Sequence, residues 1–80
     1  MVKRNDEMVP VRQEVMAARR NGRGLTRPQL AQRVECSPSH LANVEAGRKW
    51  AKLALVNRIA RELGCSTDEL INHDALRAAA

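Results

Sequence analysis

Two helix starts stand close together in the middle of this chain, and they constrain what can be built around them. In Thr26-Arg27-Pro28-Gln29 the Thr26 hydroxyl can accept the N–H of Gln29, while the Gln29 side chain reaches back to the Thr26 N–H. That is a reciprocal capping box. Ser37-Pro38 is a second start. Serine is a preferred N-cap, and proline suits the first helical position, where its missing N–H costs nothing. Between the two starts Leu30, Ala31 and Val34 make one short apolar face, and Leu41 and Val44 make another before Gly47. The spacing predicts two short helices joined by a turn of two or three residues at Glu35-Cys36. Ala31 lets their axes approach at an angle, because only a small side chain fits where they cross.

The rest of the chain reads as helices around that pair. Pro10 suits a first turn, and Val11, Val15 and Ala18 then share one helical face that ends at Asn21-Gly22-Arg23-Gly24. Arg48 to Ala51 form a basic loop. Leu53, Val56, Ile59, Ala60 and Leu63 trace a fourth amphipathic helix stopped by Gly64. Ser66-Thr67-Asp68-Glu69 is another capping box, opening a fifth helix with Leu70 and Ile71 inward. With 12 Ala, 8 Leu, 7 Val, one Trp and neither Phe nor Tyr, the core is aliphatic and rich in helix formers. These features predict an all-α, compact five-helix fold. A flexible N-terminal arm is expected over residues 1–9, the folded domain over 10–72 and a C-terminal tail over 73–80.

Several classes of function drop out. No apolar run approaches the roughly 18 residues that span a bilayer, and no apolar stretch follows the basic start as in a signal peptide. Two cysteines, Cys36 and Cys65, are too few for a disulfide scaffold, so a reduced, cytoplasmic protein is expected. With His40 and His73 they offer no close ligand spacing, and no metal or other cofactor is expected. An enzyme is not expected either. Ser39 and His40 are adjacent, so on a helix they diverge by about 100° and cannot act together with Glu45.

Charge is more informative. Residues 12–33 carry six arginines (12, 19, 20, 23, 27 and 33) against Glu14 alone, and Arg48, Lys49 and Lys52 follow. From Glu62 onward the sign reverses. One basic face suggests a polyanion partner. Pro38, Ser39, His40, Ala42 and Asn43 have no core duty, so the third helix presents short polar groups at its N-terminal end. Such a helix fits a DNA major groove about 12 Å wide.

The pattern Leu25-Thr26-x-x-Gln29-Leu30-Ala31-x-x-Val34-x-x-Ser37-x-Ser39-x-Leu41-x-x-Val44-Glu45-x-Gly47 resembles the phage repressor and Cro-type helix-turn-helix family, and the similarity extends over residues 11–71. The resemblance implies a lambda-repressor-like DNA-binding domain whose third helix reads bases in a homodimer on double-stranded DNA. By position it places Pro38, Ser39, His40 and Asn43 at base edges. It places Arg27, Ser37, Arg48 and Lys49 at phosphates. Asn43 is the best base reader by chemistry, since an amide pairs bidentately with adenine. The family pairs an arginine late in the first helix with the residue that here is Glu45. Arg19 or Arg20 can serve, and the apolar spacing favours Arg19, with a 21–24 turn one residue longer than usual.

Two positions depart from the family pattern. Glu35 stands where glycine is usual, which implies a left-handed backbone costing about 1 kcal/mol. Pro38 stands where many relatives hydrogen-bond to a base. The function expected is a sequence-specific transcriptional regulator, a repressor of a near-palindromic operator. The alternative is an antitoxin or other protein-interaction module, with Leu70, Ile71 and Leu76 at the acidic end as partner or dimer surface. Trp50 serves either reading, packing on the fourth helix or touching a sugar-phosphate strand.

Overall fold

A computed structural model describes residues 7–79. The described chain runs β1 (Met8–Val9), α1 (Gln13–Gly22), α2 (Arg27–Arg33), α3 (Pro38–Glu45), β2 (Ala51–Lys52), α4 (Leu53–Leu63), α5 (Thr67–Leu70) and α6 (His73–Ala78). Six helices therefore replace the expected five, and a two-residue antiparallel ladder joins them, Met8 opposite Lys52 and Val9 opposite Ala51. The additional helix lies in the expected tail. Asn72 caps it by accepting the Ala75 N–H at 3.1 Å, and Leu76 packs partly buried on the core.

Residues 7–12 act as a seam. Along an extended chain successive residues turn their polar groups to opposite edges. Glu7 accepts the Leu53 N–H on one edge at 2.8 Å. On the other, Pro10 accepts the Asn72 N–H at 2.9 Å and the Arg12 N–H donates to Leu70 at 2.7 Å, with Val11 facing Ile71. One short segment thus ties the start of α4 to the α5–α6 junction. Of the arm expected over residues 1–9, residues 1–6 lie outside the described residues, whereas Met8 and Val9 form β1 and Val9 is buried.

This seam corrects the reading of α1. Pro10 and Val11 are extended and buried rather than helical, and α1 starts only at Gln13. Its buried face is Met16 with Arg20, spaced i and i+4, while Val15 is half-buried and Ala18 exposed. The three apolar residues proposed for that face span an extended segment and a helix, so their helical spacing was fortuitous. In α4 the inward face matches the expected one except that Leu55 is buried and Leu53 half-buried.

The central pair forms as its caps dictate. The Gln29 N–H donates to Thr26 Oγ1 at 3.2 Å and the Thr26 N–H to Gln29 Oε1 at 2.9 Å. The His40 N–H donates to Ser37 Oγ at 3.0 Å. Only half of the second expected box forms: the Glu69 N–H donates to Ser66 Oγ, but the Glu69 carboxylate reaches Arg19 instead. Leu30, Ala31, Val34, Leu41 and Val44 are all wholly buried between α2 and α3. Arg58 from α4 closes the junction, its Nε donating to the Val34 carbonyl at 3.0 Å.

The turn between α2 and α3 has the backbone that the substitution at Glu35 implied. The Cys36 N–H donates to Ala31 and the Glu35 N–H to Gln32, which is the Schellman arrangement, and Glu35 adopts φ 60°. It is the one non-glycine at positive φ among the described residues. Its side chain is exposed, so nothing in the packing repays the strain. Glu35→Gly should therefore raise unfolding stability by about 1 kcal/mol, whereas Leu41→Ala should lower it by about 3 kcal/mol, both read by urea denaturation.

Candidate nucleic-acid interface

The interface is built on a buried carboxylate. Glu45 ends α3 and is only 5% exposed. Arg20, late in α1, meets it with a two-pronged contact, Nε to Oε1 at 2.8 Å and Nη2 to Oε2 at 3.1 Å. Its third nitrogen, Nη1, donates to the Leu25 carbonyl at 2.8 Å, in the chain leading to the Thr26 cap. Arg27 at the start of α2 completes the group, its Nε donating to Glu45 Oε2 at 2.9 Å. Ends of three helices thus converge on one carboxylate. Burial acts to raise the Glu45 pKa, but the hydrogen bonds and charges of Arg20 and Arg27 outweigh it and hold the carboxyl below its usual range.

Arg20, not Arg19, is the arginine that pairs with Glu45. Arg19 points the other way and bridges Glu69 on α5 at 2.8 Å with both side chains about half exposed. The preference for Arg19 rested on a face of α1 that included Val11 and Ala18. With Met16 inward instead, the residue four further on shares that face, and it is Arg20. The 21–24 turn then needs no lengthening: Gly24, at φ 69°, ends α1 after Arg23.

The N-terminal half of α3 lies open. Ser37, Pro38 and Ser39 are exposed, and His40, Ala42 and Asn43 are half-buried. Beyond Gly47 the chain folds back, so that the Arg48 and Lys49 N–H groups both donate to the Asn43 carbonyl, at 2.9 and 3.2 Å. The Arg48 side chain follows, its Nε donating to Asn43 Oδ1 at 3.0 Å. Arg48 and Lys49 are exposed and Trp50 is half-buried. Of the eight residues singled out, the structure joins Asn43 to Arg48 and Ser37 to His40, and ties Arg27 to Glu45. Pro38, Ser39 and Lys49 stand on the same stretch without a side-chain partner among the described residues.

Sequence reasoning missed the Asn43–Arg48 bond. No helical periodicity announces it, because it spans a helix end and depends on the reversal at Gly47. The proposed partner surface at the acidic end is not available as drawn: Leu70 is wholly buried, Ile71 nearly so, and Leu76 packs against the core.

Other chemistry is sparse. Among the described residues no three His, Cys, Asp or Glu side chains converge, and no helix is long and apolar enough to cross a membrane. Cys36 and Cys65 are free, and burial pushes both thiols up in pKa despite nearby Arg58 and Arg19 respectively. At neutral pH both are protonated thiols. An open hollow above the Glu45 group is lined by Gln13, Glu14, Ala17, Arg27, Glu45 and Ala46.

A helix-turn-helix domain profile matches residues 14–73, most of the chain. The chain belongs to the helix-turn-helix domain family. Two crystal structures of the clp gene regulator ClgR from Corynebacterium glutamicum are similar to it. Both are 28% identical and cover 71% of this chain, with TM-scores of 0.66 and 0.64. The chain spans 61% of the first of those chains and 74% of the second. No curated protein matches it.

The two arginines on Glu45 differ in what their loss should do. Arg20→Ala strips a buried carboxylate of its two-pronged partner and should cost about 3 kcal/mol. The Arg27 side chain is 54% exposed, so Arg27→Ala should cost under about 1 kcal/mol in the same urea titration. The lowered Glu45 pKa also sets a pH dependence. Its contribution is complete above the ordinary glutamate value of about 4.3 and is lost as pH falls through the lower folded value, because the unfolded chain binds the proton first. Glu45→Gln should remove that part of the acid dependence, and a stability profile from pH 6 to 2 will show whether the two curves converge.

Proposed function

We propose that this helix-turn-helix chain is a DNA-binding transcription regulator, a repressor that binds a near-palindromic operator as a homodimer with α3 in the major groove. The observation that carries the reading is the open N-terminal half of α3, followed by Arg48 and Lys49 in the loop after the helix and backed by an anchored carboxylate. The likeness to ClgR, named as a clp gene regulator, supports it.

In this reading the DNA-binding unit is residues 10–72. Pro38, Ser39, His40 and Asn43 meet base edges, with Pro38 contributing apolar contact only. Arg27, Ser37, Arg48 and Lys49 meet phosphates. The Ser37 oxygen accepts the His40 N–H, which leaves its own O–H to donate to a phosphate oxygen. Arginine has five N–H donors, and Arg27 uses its Nε on Glu45. A phosphate contact from Arg27 would therefore be made by a side chain already braced against α3. Two copies set their α3 helices about 34 Å apart, one turn of B-DNA. A bound dimer would then block polymerase at an overlapping promoter.

Selection of bound sequences from a random duplex pool tests the reading. An inverted repeat with half-sites about 10 bp apart, bound at least ~10³-fold over random DNA, is the expected result. Binding without a motif that vanishes steeply with salt would reduce the interface to phosphate contacts. With the selected site, Asn43→Ala should lower specific binding while sparing nonspecific binding, and Arg27→Ala should weaken both. Sedimentation of the complex reads its stoichiometry, and one chain per site would rule out the dimer.

A further inference from the structure

We infer that Arg48 is a positioning residue that sets which base Asn43 reads, and that the Arg48–Asn43 pair selects guanine rather than adenine. The inference rests on the proposed DNA-binding role of α3. The two ends of an asparagine amide have nearly the same shape, so only hydrogen bonding decides which way it faces. Here the neighbour is a guanidinium, which donates and cannot accept. Arg48 Nε lies 3.0 Å from Asn43 Oδ1, so the carbonyl faces the loop and the NH2 group faces away from it. The pair is not a chance meeting of two mobile side chains. The Arg48 and Lys49 N–H groups both anchor to the Asn43 carbonyl, which fixes the loop over that residue.

Adenine recognition by asparagine uses both ends of the amide at once, the oxygen accepting from N6 and the nitrogen donating to N7. Arg48 holds one of the two lone pairs of Oδ1 on the loop side, so the end of the Asn43 amide turned outward is its NH2 group. In the major groove guanine presents two acceptors, N7 and O6, where adenine sets its own N6 donor beside N7 and cytosine presents a donor. An amide turned with its NH2 group outward therefore favours guanine and meets like with like at adenine N6. Removing the Arg48 side chain frees the amide to turn, so that it can set its oxygen and its NH2 group together against adenine.

The experiment is selection from a random duplex pool with the wild-type chain, Arg48→Ala and Asn43→Ala in parallel. Because Arg48 is exposed, Arg48→Ala should keep its fold, and helical circular dichroism checks this in each variant. Asn43→Ala identifies the position that Asn43 reads as the one losing its preference. At that position the wild type should enrich guanine over adenine by about tenfold or more, and Arg48→Ala should reverse the order. A role for Arg48 as a charge alone would weaken binding to every sequence and leave the preferred base unchanged. Adenine at that position in the wild type, or one base preferred by both proteins, overturns the inference while leaving the regulator intact. No enriched sequence with any of the three proteins, or no position altered by Asn43→Ala, overturns the reading of α3 as well.

Discussion

The fold turns on a single buried carboxylate. Glu45 closes α3, accepts two hydrogen bonds from Arg20 of α1 and one from Arg27 of α2, and leaves almost none of its surface to water. A charge taken that far out of solvent is costly unless it is fully paired, so the three helix ends are obliged to meet in one arrangement. Arg20 extends the same constraint to the Leu25 carbonyl just before the α2 cap. Apolar packing alone would let α2 and α3 slide, since aliphatic contacts have no direction. The two-pronged contact does have one, and it sets the exposed face of α3 relative to Arg27.

Around that anchor the short elements depend on their ends. A helix of seven or eight residues cannot sustain itself by propagation, and α2 and α3 are of that length. Their caps at Thr26 and Ser37, their shared core and the Schellman turn at Glu35 make up the difference. The chain tolerates a strained left-handed glutamate there because both flanking helices hold the turn. The seam of residues 7–12 does a similar service for the far side of the domain, binding α4 to the α5–α6 junction through backbone hydrogen bonds.

Much of this was legible in the residues. Thr26, Ser37 and the apolar spacing after each announce α2 and α3, and Gly64 stops α4 where expected, because caps and periodicity are local properties. The misreadings share a cause. Pro10 and Val11 suit a helix start as well as an extended seam, and only the partners at 51–53 and 70–72 decide between them. That choice moved the inward face of α1 from Val15 and Ala18 to Met16 and Arg20, and with it the arginine that reaches Glu45. The sixth helix was missed because an alanine-rich tail shows propensity without showing what it packs on. In the interface the open polar face of α3 was apparent from its lack of apolar residues, whereas the bond between Asn43 and Arg48 was not.

By itself the amino-acid sequence determined where α2, α3 and α4 begin and end, which face of each is apolar, and that six arginines crowd residues 12–33. Those properties arise from neighbours a few residues apart, so they can be read along the chain. The tertiary structure alone decided that residues 7–12 are extended, that Arg20 rather than Arg19 meets Glu45, and that Arg48 turns back onto Asn43. Each of these choices lies between nearly equal local alternatives. Adjacent arginines have the same chemistry, and the two ends of an amide have nearly the same shape, so only the groups brought up by distant packing distinguish them.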